Sequence, residues 1–420
     1  MKAVLPLGSS LLVFETAVTS ILRASESFNL DEILLLVPRF ARNYLRDITS
    51  FLGDIGFSTS ISVKDIEQDI SDKEIDKILG NDSILIPSAS SIVYIIKFVS
   101  RAVRNGNKVM HILFPFGPWL GLYYPYVPRF IVKNTVIEKK MVENKPYDFD
   151  LAKEGISKWL KDRELSKIIA LESLKFNNLN KKNYSQEDEI NLCLKENGEV
   201  TTDLRNSCLL SLVIDSKGRA SLNADPIEVL KKFDKGNTKE GIFKSLAGEL
   251  GFYSINASIE GETHNIRELG KKFRGIIVDT NLIYSGIALY PDISLILPYC
   301  AYIEISNNRA NMKTKRVSKI EKAVEELAWI ELREIISRFS MIPTPTFFCD
   351  AIMPMIDPLL LKDTLILTDD EGAYQHWRTV ITNATVGKLS LERENNGAYL
   401  SYSIFLLSWV IRNLLNEDSK

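Results

Sequence analysis

Four acidic positions stand where apolar runs end or are interrupted. Asp279 follows Gly275-Ile-Ile-Val, and Glu304 interrupts Tyr299-Cys-Ala-Tyr-Ile-Glu-Ile. Asp350 follows Thr346-Phe-Phe-Cys, and the pair Asp369-Asp370 follows Thr364-Leu-Ile-Leu-Thr. An acid at the carboxyl end of a buried strand sits where open α/β sheets place their ligands, although such an acid also serves as a helix N-cap. An unpaired carboxylate in an apolar setting is costly and calls for a cation or a hydrogen-bond partner. Two carboxylates about 4 Å apart repel by on the order of 4 kcal/mol at an effective dielectric of about 20, so gathering several requires a counter-cation or protonation. Oxygen ligands without Cys or His select Mg²⁺ or Mn²⁺ over zinc, and ions held this way support phosphodiester hydrolysis. Glu325 and Glu326 are rival second acids, but they fall in the periodic run Ile320–Phe339 and read as a solvated helix face.

A basic run follows Glu304. Arg309, Lys313, Lys315 and Arg316, with Lys319 and Lys322, face a single acid, Glu321. Such a run makes either a solvated surface or a set of sequence-independent phosphate contacts, with Tyr299 and Tyr302 as stacking partners for bases. His111, His264 and His376 are too dispersed to form a triad and read as structural.

The elements that must position these residues follow from periodicity. The chain opens with strand and helix signals in alternation: strands Lys2–Leu7, Glu32–Val37, Ser58–Val63, Ile84–Pro87 and Val109–Pro115, with helices Phe14–Ser25, Phe40–Gly53 and Ser91–Asn105. That order predicts a mostly parallel, doubly wound α/β sheet, closed by the aromatic run Phe114–Phe130. Residues 146–270 are more charged and less periodic. Helices are expected at Ile156–Ala170 and Glu187–Lys195, and Leu209–Ile214 and Ala220–Leu222 around Asp215–Gly218 suit either a small winged helix or another α+β connecting domain. From Phe273 onward the α/β texture returns, with a central parallel sheet expected. Three segments result: 1–145, 146–270 and 271–420.

Composition limits the classes. The 420 residues are 45% hydrophobic and 25% charged, with 54 acidic against 52 basic side chains. This is ordinary for a soluble protein of two or three domains and excludes a nucleic-acid coat spread over the whole chain. Cys193, Cys208, Cys300 and Cys349 never form a CxxC pair, which argues against a zinc ribbon or a disulfide scaffold and for a reducing cytoplasm. The N-terminus opens on a short apolar strand pattern, Ala3 to Leu7, and reads as lacking the charged head and long apolar run of a signal peptide. The apolar stretch Ala398–Leu415 carries Ser401, Ser403, Ser408 and Arg412 and reads as a buried helix, so no membrane partner is expected.

Two small-residue loops follow apolar strands in the first segment: Gly8-Ser9-Ser10 and Ser88-Ala89-Ser90-Ser91. Both lead toward helices, so their amides and hydroxyls suit a phosphate at a helix N-terminus, or simple capping; together they outline a nucleotide pocket without a Walker or GxGxxG motif.

The order Asp279-Thr280-Asn281, Glu304, Asp350 and Thr368-Asp369-Asp370 resembles the pattern of PIN-domain nucleases over about the last third of the chain. The resemblance implies Asp279, Glu304, Asp350 and Asp370 as catalytic metal ligands, with Asp369 as the rival of Asp370. It implies Asn281 and Thr368 as hydrogen-bonding support and single-stranded RNA as substrate. Pro354 and Pro358 depart from it, because they interrupt the helix expected after Asp350. Residues 1–132 resemble the CARF domains of CRISPR-associated effectors, which are dimeric Rossmann-like sensors; Ser88-Ala89-Ser90-Ser91 replaces the Gly-Gly-Thr-Lys type loop seen in many members. This second resemblance implies a cyclic oligoadenylate ligand, cyclic tetra-adenylate in particular, and a homodimer. The expectation is a ligand-activated, metal-dependent ribonuclease of a type III CRISPR system. The alternatives are an unregulated PIN ribonuclease and a CARF-type transcription regulator with a true winged helix and an inactive C-terminal domain.

Overall fold

The computed structural model describes residues 1–9, 12–67, 69–113, 117–137, 147–160, 163–180, 189–204, 207–234, 236, 238–312, 317–344 and 349–416. The chain divides into two compact units, Met1–Asp162 with Ile169–Gln186, and Arg163–Ile168 with Glu187–Lys420. The architecture is mixed α/β.

In the first unit six strands, β1 (Lys2–Pro6), β2 (Glu32–Pro38), β3 (Ser60–Ile66), β4 (Ser83–Leu85), β5 (Lys108–Leu113) and β6 (Lys133–Ile137), form one sheet in the order β3-β2-β1-β4-β5-β6. All neighbours run parallel except β6, which is antiparallel to β5. This is the doubly wound layout that the alternation predicts. Ala3, Val4 and Leu5 are fully buried, as befits a central parallel strand covered on both faces. Helix α1 (Val13–Ser27) links β1 to β2, and α2 (Ile92–Arg104) follows β4. Tyr94, Phe98 and Ala102 recur at the helical period and turn inward from α2, whereas Ile92 (72%) and Ile96 (64%) stay exposed on it. The aromatic run contributes Trp119, Tyr123, Tyr124 and Tyr126, all essentially buried, and Tyr123 meets Phe14, Phe51 and Tyr126 edge to face. Phe114 to Phe116 lie outside the described residues.

Two helix expectations are corrected. Ile156–Ala170 is not one helix but the ends of two, Ala152–Trp159 and Glu164–Leu179. Within Glu187–Lys195 the described backbone is strand β7 (Ile190–Leu194). Its acidic lead imitates a helix start, but Leu192, Cys193 and Leu194 are fully buried in a sheet. With β8 (Val200–Thr201), β9 (Leu210–Ile214) and β10 (Ala220–Leu222), it forms an antiparallel sheet in the order β10-β9-β7-β8. The helix that would open a winged helix here is therefore a strand.

The second unit holds that sheet and another of seven strands: β11 (Tyr253–Ile259), β12 (Glu262–Asn265), β13 (Gly275–Val278), β14 (Leu295–Pro298), β15 (Met341–Ile342), β16 (Thr364–Thr368) and β17 (Thr385–Arg393). Their order is β12-β11-β17-β16-β13-β14-β15. β17, β16, β13, β14 and β15 are mutually parallel; β11 and β12 add an antiparallel edge. Where a segment boundary is expected after 270, β11 instead pairs with β17 from Tyr253↔Arg393 onward, tying residues before 270 to the end of the chain. The helices of this unit include α3 (Glu240–Glu249), α4 (Thr280–Ile283), α5 (Tyr299–Met312), α6 (Lys319–Arg338), α7 (Cys349–Ile352), α8 (Glu371–Val380) and α9 (Gly397–Asn416). Ser318 and Glu321 close a reciprocal capping box at the start of α6.

Helix α9 is long and apolar enough to cross a membrane, yet 72% of its apolar window is buried inside the protein, as expected of a core helix. Ser408 and Arg412 both donate to the Gly198 carbonyl. Gly198 sits at φ +79, and a Cβ there would lie 2.7 Å from the Arg412 side chain, so only glycine permits this approach. The expectation of unpaired cysteines is also corrected. Cys193 joins Cys208, and Cys300 joins Cys349, each pair with Cα atoms 5.4 Å apart.

Candidate functional site

Four neighbouring parallel strands, β16, β13, β14 and β15, each lead at their carboxyl ends to one of the acids singled out above. Asp279 immediately follows β13 and Asp370 comes two residues after β16; the two strands pair Val278 with Leu367. Glu304 lies on α5, which follows β14, and Asp350 lies on α7, after β15. Asp279, Glu304, Asp350 and Asp370 line one cleft of about 500 Å³, together with Thr280, Asn281, Asn308, Cys300 and Cys349. Among the described residues, no lysine or arginine lines it.

Asp279 is the anchored member, 2% exposed. It caps α4, with the Thr280 amide donating to Oδ1 at 2.8 Å. Thr368 Oγ1 donates to Oδ2 at 2.8 Å, and the Asn281 amide group makes a long contact of 3.5 Å to the same oxygen. Burial pushes the Asp279 carboxyl up to about 6; the Thr368 hydroxyl and Thr280 amide oppose this, and the charges of Asp350 and Glu304 add to it.

Glu304 and Asp350 are exposed as residues, but the cleft partly encloses their carboxyls. Partial burial raises both, opposed at Glu304 by the Thr280 hydroxyl; Asp350 adds to the rise at Glu304, and Asp370 to that at Asp350. Asp370 caps α8, its Oδ1 accepting the Ala373 amide at 2.7 Å. Asp369 is exposed, lies near Lys388 and does not line the cleft, so the fold separates the doubled acids. Pro354 acts as expected, since α7 stops at Ile352 and a 3₁₀ turn follows at Met353–Met355, whereas Pro358 opens a further short helix, Pro358–Leu361. Among the described residues, no three acidic, histidine or cysteine side chains are close enough to hold one metal ion together. The donors are nonetheless all oxygens, and burial, with a smaller push from neighbouring carboxylates, raises Asp279, Glu304 and Asp350, a set that fits a hard cation.

The basic run divides. Arg309 lies outside the acidic cleft, 3.8 Å from Glu326 and over the Trp329 ring, and lines a second groove of about 680 Å³ with Lys319, Lys322 and Trp409. Lys313, Lys315 and Arg316 lie outside the described residues. Tyr299 and Tyr302 stack on each other with ring centroids 5.8 Å apart.

One acid expected on a solvated face is buried. Glu325 is 9% exposed and accepts from the Tyr284 hydroxyl, which also receives the Asn308 side-chain amide at 3.2 Å. Burial raises Glu325, the Tyr284 hydroxyl opposes, and Glu304 adds to the rise. Glu326 stays exposed, as expected. Asn308 escaped the sequence reading although it lies one turn after Glu304, the spacing that puts two side chains on one helix face. None of the three histidines lines the cleft.

In the first unit the two small-residue loops touch. A Cβ on Gly8 would lie 2.8 Å from Ser90 C and Ser91 N, so the glycine is required for the loops to meet. Ser88 Oγ accepts the Ile112 amide at 2.8 Å, which ties it to β5, and Ala89 is buried. Ser9 is exposed, Ser90 is half-buried with its hydroxyl enclosed, and Ser91 precedes α2. Ser10 lies outside the described residues. A scan against protein-family models finds no match to this chain, and neither does a search of curated proteins.

Proposed function

We propose that the protein is a metal-dependent endoribonuclease of the PIN type. The observation that carries this reading is the convergence of four acids, from the carboxyl ends of four neighbouring parallel strands, on one cleft that no lysine or arginine lines among the described residues. Asp279, Glu304, Asp350 and Asp370 would hold Mg²⁺ or Mn²⁺ partly through bound waters, since no three of them meet at one point, with Thr368 and Asn281 orienting Asp279. The bound ion supplies Lewis-acid activation of water and offsets charge on the scissile phosphate of single-stranded RNA. The chain's own part is to keep Asp279 ionised and aimed, through the Thr368 hydroxyl and Thr280 amide, and to present Asn308 beside the cleft as a donor to a phosphate oxygen.

The reading extends to regulation. The N-terminal unit acts as a CARF-like sensor that binds a cyclic oligoadenylate, cyclic tetra-adenylate in particular, at the Gly8–Ser10 and Ser88–Ser91 loops, within a type III CRISPR-associated homodimer. Contact between the two loops supports a shared pocket. The exposed Ile92 and Ile96 on α2, directly after the second loop, support a dimer face beside it.

The test incubates labelled single-stranded RNA with the protein and Mn²⁺, with and without cyclic tetra-adenylate. Cleavage that depends on both is expected, and Asp279→Asn abolishes it. Activity indifferent to the ligand removes the sensor half of the proposal, and activity surviving Asp279→Asn removes the nuclease half.

A further inference from the structure

Asp350 has the weakest local support of the four acids. Its helix α7 is a single turn, too short to hold itself, and a 3₁₀ turn containing Pro354 follows. Yet its carboxyl faces a cleft already crowded with negative charge, from which repulsion would drive it toward solvent. Three restraints oppose this. The Trp377 indole donates to the Asp350 carbonyl at 2.9 Å. Ile352 and Met353 are buried beyond it. Cys349, the preceding residue, is bonded to Cys300.

Cys300 stands one turn before Glu304 on α5, so the two share a helix face, and its own amide donates to Thr344 Oγ1 at 2.9 Å. The bond therefore ties the neighbour of Asp350 directly to the face that presents Glu304. Both cysteines line the cleft but are only 3% and 4% exposed, so a small reductant would have to reach them from the cleft side.

We propose that the Cys300–Cys349 disulfide is a positioning device for Asp350, and that its reduction by a low-molecular-weight dithiol weakens cation binding in the cleft. The inference rests on the metal-site reading above. In the step, one thiolate of the dithiol attacks a cysteine Sγ and the Cys300–Cys349 bond breaks. The second thiol of the reagent then closes it into a cyclic disulfide, and both cysteines leave as thiols. Two electrons and two protons pass from reagent to protein. A disulfide oxidant such as oxidised glutathione reverses the step and is itself reduced to two thiols.

The experiment uses the full chain, oxidised or reduced with dithiothreitol and desalted without oxygen, with Mn²⁺ binding and the hydrogen exchange of the Trp377 indole N–H as readouts. Reduction is expected to weaken Mn²⁺ binding about tenfold, the scale on which supports of metal ligands act, and to accelerate indole exchange; glutathione disulfide restores both. Cys193→Ser with Cys208→Ser keeps the response, and Cys300→Ser with Cys349→Ser stays in the weak state whatever the treatment. Equal Mn²⁺ affinity and equal indole exchange in the two forms overturn the proposal. Absence of Mn²⁺ binding in both forms sinks the metal-site reading instead, and the indole exchange then decides the tether on its own.

Discussion

Thr368 Oγ1 donates to Asp279 Oδ2 at 2.8 Å, joining the carboxyl ends of two paired parallel strands. The acceptor is buried and carries charge only above about pH 6, so the bond is charge-assisted at neutral pH and weaker below. Thr368→Val, which keeps the side-chain shape, is expected to cost about 1–3 kcal/mol at pH 8 and less at pH 5. Urea unfolding at the two pH values checks this; an equal cost at both shows that the bond does not depend on the Asp279 charge.

Asp279→Asn separates function from stability. The unfolded carboxyl ionises near 3.8 and the folded one near about 6, so the folded state bears a penalty that is full above pH 6 and gone below about 4. The variant should lose RNA cleavage while gaining on the order of 2 kcal/mol at pH 8, with the gain vanishing as the pH falls through 6 toward 4. Thermal unfolding across this range gives the answer, and a variant less stable than the parent at pH 8 refutes it.

Glu249 on α3 and Glu331 on α6 are fully buried; neither carboxylate oxygen of Glu249 has a hydrogen-bond partner among the described residues, and Glu331 has the Ala288 backbone amide nearby. Burial raises both well above the usual range. Glu331 and Glu325 add to the rise at Glu249; at Glu331, Arg338 opposes and Glu334 adds. The folded state therefore holds protons that the unfolded chain releases, and stability falls as pH rises from the ordinary carboxyl range to the folded one. Glu249→Gln or Glu331→Gln should raise Tm by about 3 °C at pH 8, the shift expected for about 1 kcal/mol, and by less at pH 5. A Tm difference that does not change with pH counts against proton binding at these groups.

In the first unit Glu26, 1% exposed, accepts from Arg23, Arg129 and the Tyr124 hydroxyl. Removing it takes a shared carboxylate away from two buried guanidinium groups, so Glu26→Leu is expected to cost about 3 kcal/mol, read as a lower urea midpoint at unchanged slope. A loss below about 1 kcal/mol would mean that water reaches the arginines.

Gly8→Ala tests the loop contact. The added methyl meets Ser90 and Ser91 backbone at 2.8 Å, and one loop must move at a cost of about 1–3 kcal/mol. Titration with cyclic tetra-adenylate should give binding at least about tenfold weaker than in the parent, the effect of losing about 1.4 kcal/mol. Unchanged affinity places the ligand elsewhere.

Much of the candidate site was legible because its signals are local. An apolar run ending in Asp marks a strand edge wherever the strand goes, and Asp279 and Asp370 could be found from their own neighbourhoods. The alternation of strands and helices in the first unit was readable for the same reason. Glu187–Lys195 misled because its acidic lead is a local helix signal, while the burial that makes Ile190–Leu194 a strand comes from β9.

Sequence alone determined which residues end the apolar runs, and hence which acids were available to a site at a sheet edge. Tertiary structure decided the rest. Strand order β16-β13-β14-β15 brought four acids to one cleft, and the turn into α8 chose Asp370 over Asp369. The Cys300–Cys349 bond spans 49 positions, and the burial of Glu249, Glu325 and Glu331 comes from helices meeting across the unit. These are contacts between distant parts of the chain, and periodicity within a short window carries no information about which distant residue will arrive.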